Sequence, residues 1–140
     1  KRNTENLYIA NRIYLELITR KAALPFDEND DVISEVYDSW YELFKIIRNE
    51  IKNVPGEYLI SHNPTEELIG LTMRILNEGL RNHLTKYQAR FRKWYKTESE
   101  KDVNESLSPQ QIQEKYPEYD NLITDLKSVN AILIDYSLQT

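Results

Sequence analysis

The densest concentration of chemically capable side chains lies between Arg81 and Lys96. That stretch holds Arg81, Lys86, Arg90, Arg92, Lys93 and Lys96 with His83, and none of the chain's 23 acidic residues. Lys86, Arg90 and Lys93 stand at i, i+4 and i+7, so a helix would carry them on one face. Tyr87, Trp94 and Tyr95 interleave with them. Cations alternating with rings can neutralise phosphates and stack bases, as in proteins that hold single-stranded nucleic acid. At a helix end they can also meet anionic lipid headgroups. The plainer reading places Tyr87, Phe91 and Trp94 on a core stripe and turns the cations toward acidic protein surface. The sequence favours that last reading. Its candidate partner-binding residues are Arg81, Lys86, Arg90 and Lys93, with whichever of Tyr87, Trp94 and Tyr95 is exposed.

Other constellations fall short. Asp27, Asn29 and Asp31 alternate as calcium ligands would, but Val32 stands where the loop needs glycine and Asp38 where it needs a bidentate Glu. Capping of the next helix explains the run better. The two histidines, His62 and His83, lie in different elements, and neither belongs to a Glu-x-x-His or His-Glu-x-x-His pattern. Each reads as a satisfied or exposed histidine. No serine sits in a nucleophile elbow. Cysteine is absent, which removes thiolate chemistry and sulfur-ligated zinc. Three glycines in 140 residues leave no phosphate-cradling loop. No catalytic, cofactor-binding or metal-ligating residue is assigned, and the expectation is a protein that is not an enzyme and takes no small-molecule substrate. The ten tyrosines read mainly as core-edge residues with wet hydroxyls.

The elements that would position these residues are all helical. Apolar residues recur at helical spacing nearly throughout, without sustained strict alternation. A first segment over 4–24 carries Leu7, Ala10, Tyr14, Leu17 and Ile18 and stops at Pro25. A second has Ile33, Tyr37, Trp40, Phe44, Ile47, Ile51 and Val54 in a 4,3 rhythm, a seam for shallow helix crossing, and ends at Pro55-Gly56. The third opens with Asn63-Pro64-Thr65-Glu66, a proline-led cap. It carries Ile69, Met73, Leu76 and Leu80, then Leu84, Tyr87, Phe91 and Trp94 after a small phase step near Gly79, and reaches about Lys96. Residues 97–106 are polar and aperiodic and read as a mobile loop. Ser108-Pro109-Gln110-Gln111 starts a short helix that stops before Pro117. The last helix, over 118–138, carries Tyr119, Leu122, Leu126, Val129, Leu133 and Tyr136. The expected fold is all-α, an antiparallel bundle of about four long helices plus one short helix, forming a single domain over 1–140.

A net charge of −5 argues against a chain that coats polyanions as a whole, and no apolar run is long enough for a membrane span. The missing initiator Met and the apolar residues close to both ends suggest a fragment of a longer chain. Two segments, 36–44 (Val-Tyr-Asp-Ser-Trp-Tyr-Glu-Leu-Phe) and 79–95 (Gly-Leu-Arg-Asn-His-Leu-Thr-Lys-Tyr-Gln-Ala-Arg-Phe-Arg-Lys-Trp-Tyr), resemble parts of uncharacterised prokaryotic helical proteins. Some of those carry one membrane-spanning helix ahead of the soluble part. The resemblance implies a cytoplasmic domain tethered to the membrane by a segment outside this chain, and it implies no activity. The resulting expectation is a non-catalytic helical interaction domain of a larger bacterial protein, binding a protein partner or its own copies. The alternative is nucleic-acid binding through the basic, aromatic stretch, with an anionic membrane surface as a further candidate partner.

Overall fold

The computed structural model describes residues 12, 15, 16, 24–52 and 64–139. Among them every regular element is helical and no strand occurs, so the protein is all-α. Helix α1 spans Ile33–Lys52. Helix α2 runs in unbroken right-handed backbone over 64–99, from Pro64–Ile75 through Arg81–His83 to Ala89–Ser99. Helix α3 is the short Pro109–Gln113, and α4 spans Tyr119–Gln139. Of the first expected helix only Arg12, Leu15 and Glu16 are described, Arg12 pairing with Glu50 of α1; the Asn63 cap and Val54 at the end of the second seam lie outside the described residues. Among the described residues no helix is long and apolar enough to cross a membrane.

The core forms where α2 lies between α1 and α4. From α1 it takes Ile33, Val36, Tyr37, Trp40, Leu43 and Ile47, and from α4 Leu122, Ile123, Leu126, Val129, Leu133 and Tyr136. The α1 seam differs from expectation at one turn: Leu43 is fully buried and Phe44 only half-buried. Contacts between α2 and α4 run in opposite chain order, from Thr72 with Tyr136, through Gly79 beside Val129, to His83 with Asp125.

The phase step in α2 has a physical cause. Its buried stripe is Thr72, Leu76, Leu80, His83, Tyr87 and Phe91, with Met73 turned outward instead of inward. That stripe advances about 3.8 residues per turn, wider than a regular α-helix. Two π turns, Leu76–Leu80 and Leu84–Gln88, supply the extra residues and keep the stripe on the core. Gly79 lies inside the first of them.

Irregular backbone is pinned by buried amides. Gln113 accepts from the Ile33 amide at 2.9 Å and donates to the Asp31 carbonyl at 2.9 Å. It thus serves one of the four N-terminal donors that α1 cannot satisfy internally. Asn130 accepts from the Phe26 amide and donates to the Leu24 carbonyl ahead of α1. Within the acidic run Asp27 accepts from the amides of Asn29 and Asp30, and Asp31 accepts from that of Asp27. Its carboxylates tie the run to itself as a turn.

The stretch read as a mobile loop is also built. Asn104 is buried, donates to the Glu98 carbonyl and carboxylate, and accepts from Lys115. Ser108 and Gln111 then close both halves of a capping box at α3, as the proline-led motif implied.

Candidate functional site

The basic stretch divides over several surfaces. Arg81, Lys86, Arg90 and Lys93 are exposed, and among the described residues none of the four pairs with a carboxylate. Arg92 does pair, with Asp38 of α1 at 3.0 Å. The aromatic members behave differently. Tyr87 is only 5% exposed, a core ring with Lys86 over it at 5.4 Å, so it offers no stacking platform. Trp94 and Tyr95 are half-buried because Phe91 and Tyr116 hold them. Phe91 stacks on Tyr95 at 5.5 Å, and Trp94 meets Tyr116 edge-on at 5.2 Å. The interleaving pattern therefore alternates exposed cations with core or core-edge rings.

His83 is satisfied, and its surroundings were not foreseen. Its Nδ1 lies 2.6 Å from the Asp125 carboxylate and its Nε2 lies 2.8 Å from the Tyr37 hydroxyl. A carboxylate only accepts, so Nδ1 carries the proton, and the neutral ring accepts from Tyr37 at Nε2. Trp40 lies edge-on to the imidazole at 5.8 Å and Tyr87 tilts against it at 5.0 Å. Burial holds the imidazole below its ordinary pKa of 6.5, against the opposing pull of Asp125. Burial likewise raises the Tyr37 phenol, with Tyr116, Tyr87 and Asp125 adding to it.

An Asp–His–hydroxyl chain resembles the wiring of nucleophilic catalysis, but access decides its chemistry. Tyr37 is 1% exposed and His83 likewise 1%. The neighbouring cleft, about 550 Å³, is lined by Lys86, Tyr87, Glu118, Asn121, Thr124, Asp125 and Ser128, and so reaches the carboxylate alone. The chain of hydrogen bonds ties α1, α2 and α4 together between the two π turns. The only sign of it in the sequence is a histidine at a buried-stripe position between Leu80 and Tyr87. Its partners are 46 and 42 residues away and no local motif reveals them.

A second feature lies along the α1 edge of α2. A groove of about 560 Å³ is floored by Phe44, Leu76 and Leu84, with Tyr41 and Met73 at its margin. Lys45, Arg48 and Arg81 rim it, and among the described residues no Asp or Glu lines it. Tyr41 is 51% exposed and Met73 36%, two of the large apolar side chains left in solvent. Sequence reasoning found Arg81 here and missed the rest, because Phe44 and Met73 were assigned to the core. Among the described residues no group of three metal-ligating side chains converges. Compared with family models, with curated proteins and with solved structures, the chain matches none.

Proposed function

We propose that the protein is a non-catalytic helical interaction domain that binds a protein partner. The observation that carries this reading is the groove beside Arg81, where apolar side chains stand open to solvent under a rim of cations. Exposed apolar surface edged by polar groups is typical of protein-binding sites. The architecture we infer is an antiparallel bundle of four long helices and one short one. The opposed order of the α2–α4 contacts supports it, as does Arg92 near the end of α2 pairing with Asp38 near the start of α1. The context of a larger, membrane-tethered bacterial protein rests on the resemblance of segments 36–44 and 79–95 alone.

A second reading, nucleic-acid binding, draws on the four exposed cations Arg81, Lys86, Arg90 and Lys93. It loses support from the burial of Tyr87. Fluorescence anisotropy against single-stranded RNA and duplex DNA at about 50 mM and about 200 mM salt separates the two. Flat titrations are expected. Tight binding that weakens steeply with salt, and is abolished when Lys86, Arg90 and Lys93 are neutralised, would overturn the protein-binding reading.

A further inference from the structure

Resting on the protein-binding reading, we infer that the α1–α2 groove takes one occupant class, an acidic amphipathic helix presented by a partner protein. Charge makes the first argument. The chain carries a net −5, yet Lys45, Arg48 and Arg81 border the groove with no carboxylate among the described residues of its lining. Lys45 reaches Glu42 at 3.7 Å on the open surface, a pair worth little. Arg48 and Arg81 meet no carboxylate among the described residues. Two such guanidiniums at the rim suit carboxylates, which they can engage by bidentate hydrogen bonds.

Shape and lining make the second argument. The groove runs between two helices, and its α1 wall from Tyr41 to Arg48 covers about 10 Å of helix axis. That is the span of apolar anchors at i, i+3 or i+4, and i+7 on a docked helix. Its floor is aliphatic and phenyl, with Met73 at the margin, and a thioether adapts readily to an incoming apolar face. A nucleic-acid strand would leave Phe44, Leu76 and Leu84 without apolar partners.

The probe is a fluorescein-labelled, lactam-stapled helical peptide with leucines at i, i+4 and i+7 and glutamates on its flanks. A twin peptide carries Gln for every Glu, and a single-stranded RNA serves as the anionic control. Anisotropy should show the acidic peptide binding, with the Gln twin and the RNA much weaker. The double variant Arg48→Glu/Arg81→Glu should weaken the acidic peptide about tenfold or more, with Arg90→Glu/Lys93→Glu leaving it unchanged. Far-UV circular dichroism checks that each variant folds, and Arg48→Gln/Arg81→Gln gives a milder test of the same rim. Equal binding of both peptides overturns the acidic partner. Acidic-peptide binding that Arg90→Glu/Lys93→Glu abolishes and Arg48→Glu/Arg81→Glu spares overturns the groove but leaves the protein-binding reading standing. RNA binding in preference to both peptides overturns the two together. Concentration-dependent self-association that excludes the peptide replaces the partner helix with a second copy of this chain.

Discussion

His83 and Arg81 stand two residues apart on α2, and the helix turns them to opposite fates. His83 enters a closed aromatic pocket where each ring nitrogen has a partner. Arg81 rims an open groove whose apolar floor meets solvent. The first region has the more suggestive residue types, aspartate, histidine and tyrosine in series. The second has cations and apolar side chains with Asn77, Thr85 and Gln88 among them. Yet hydrogen bonds already made inside a core leave little capacity for a ligand, and the unsatisfied surface is where binding energy remains to be gained. In this protein the chemistry-bearing chain holds helices together, and the plainer groove is the place we propose for a partner.

Experiments that break this contrast should show large effects at the closed region and almost none at the open one. Trp40, fully buried beside His83, gives the largest. Trp40→Ala should cost about 3–5 kcal/mol in denaturant unfolding, and a loss under about 1 kcal/mol would mean that the α1 seam is misassigned.

The polar chain comes next. His83→Phe keeps a ring in the pocket but leaves the buried Tyr37 hydroxyl without its acceptor, a loss of about 1–3 kcal/mol. Adding Tyr37→Phe should recover part of that loss. A strictly additive double-mutant cycle would show that the two groups are not coupled.

A pH series sharpens the same point. His83 is held below the ordinary imidazole value of 6.5 by burial, with Asp125, Lys86, Tyr37 and Tyr87 around it. As pH falls the unfolded chain therefore takes up this proton first. Stability should decline below about pH 6.5 and level off once the folded protein is protonated too. Comparing unfolding midpoints at about pH 8 and about pH 5.5, His83→Phe should lack that component of the decline. Glu98 adds a separate loss only at lower pH. Hydrogen bonds from Lys101 and Asn104 hold it below the usual 4.5, so its contribution disappears as pH falls through that lower range.

Surface changes should be smallest. Arg92→Ala removes an exposed pair with Asp38 and should cost no more than about 1 kcal/mol. Arg48→Glu/Arg81→Glu should move stability by less than about 0.5 kcal/mol per site. A large thermal destabilisation there would make the rim a structural feature instead of a binding one.

The helical periods are what made the fold readable. The α4 stripe from Leu122 to Tyr136 and the Ser108 capping box are found where the spacing places them. Errors arose where neighbouring residues compete for one core position. Leu43 entered the core in place of Phe44, and Thr72, bonded to Tyr136, displaced Met73 from the α2 stripe. Those two displaced residues became groove lining, so the small phase errors concealed the groove. The π turns and the reach of Gln113, Asn104 and Asn130 were equally hidden. They depend on bonds between residues far apart in sequence or on carbonyls that any residue supplies. Of the candidate residues, Arg81, Lys86, Arg90 and Lys93 are exposed, which the spacing did not decide, and Tyr87 shows that an aromatic among cations can still belong to the core.

The most direct test of the account is a map of amide and methyl shift changes as the acidic peptide is added to the isotope-labelled protein. The account predicts changes centred on residues 41–48 of α1 and 73–88 of α2, with the Met73 methyl foremost and the His83 ring unchanged. Changes centred instead on Asp125 and its cleft, with His83 responding, would contradict it and make the buried chain the functional centre.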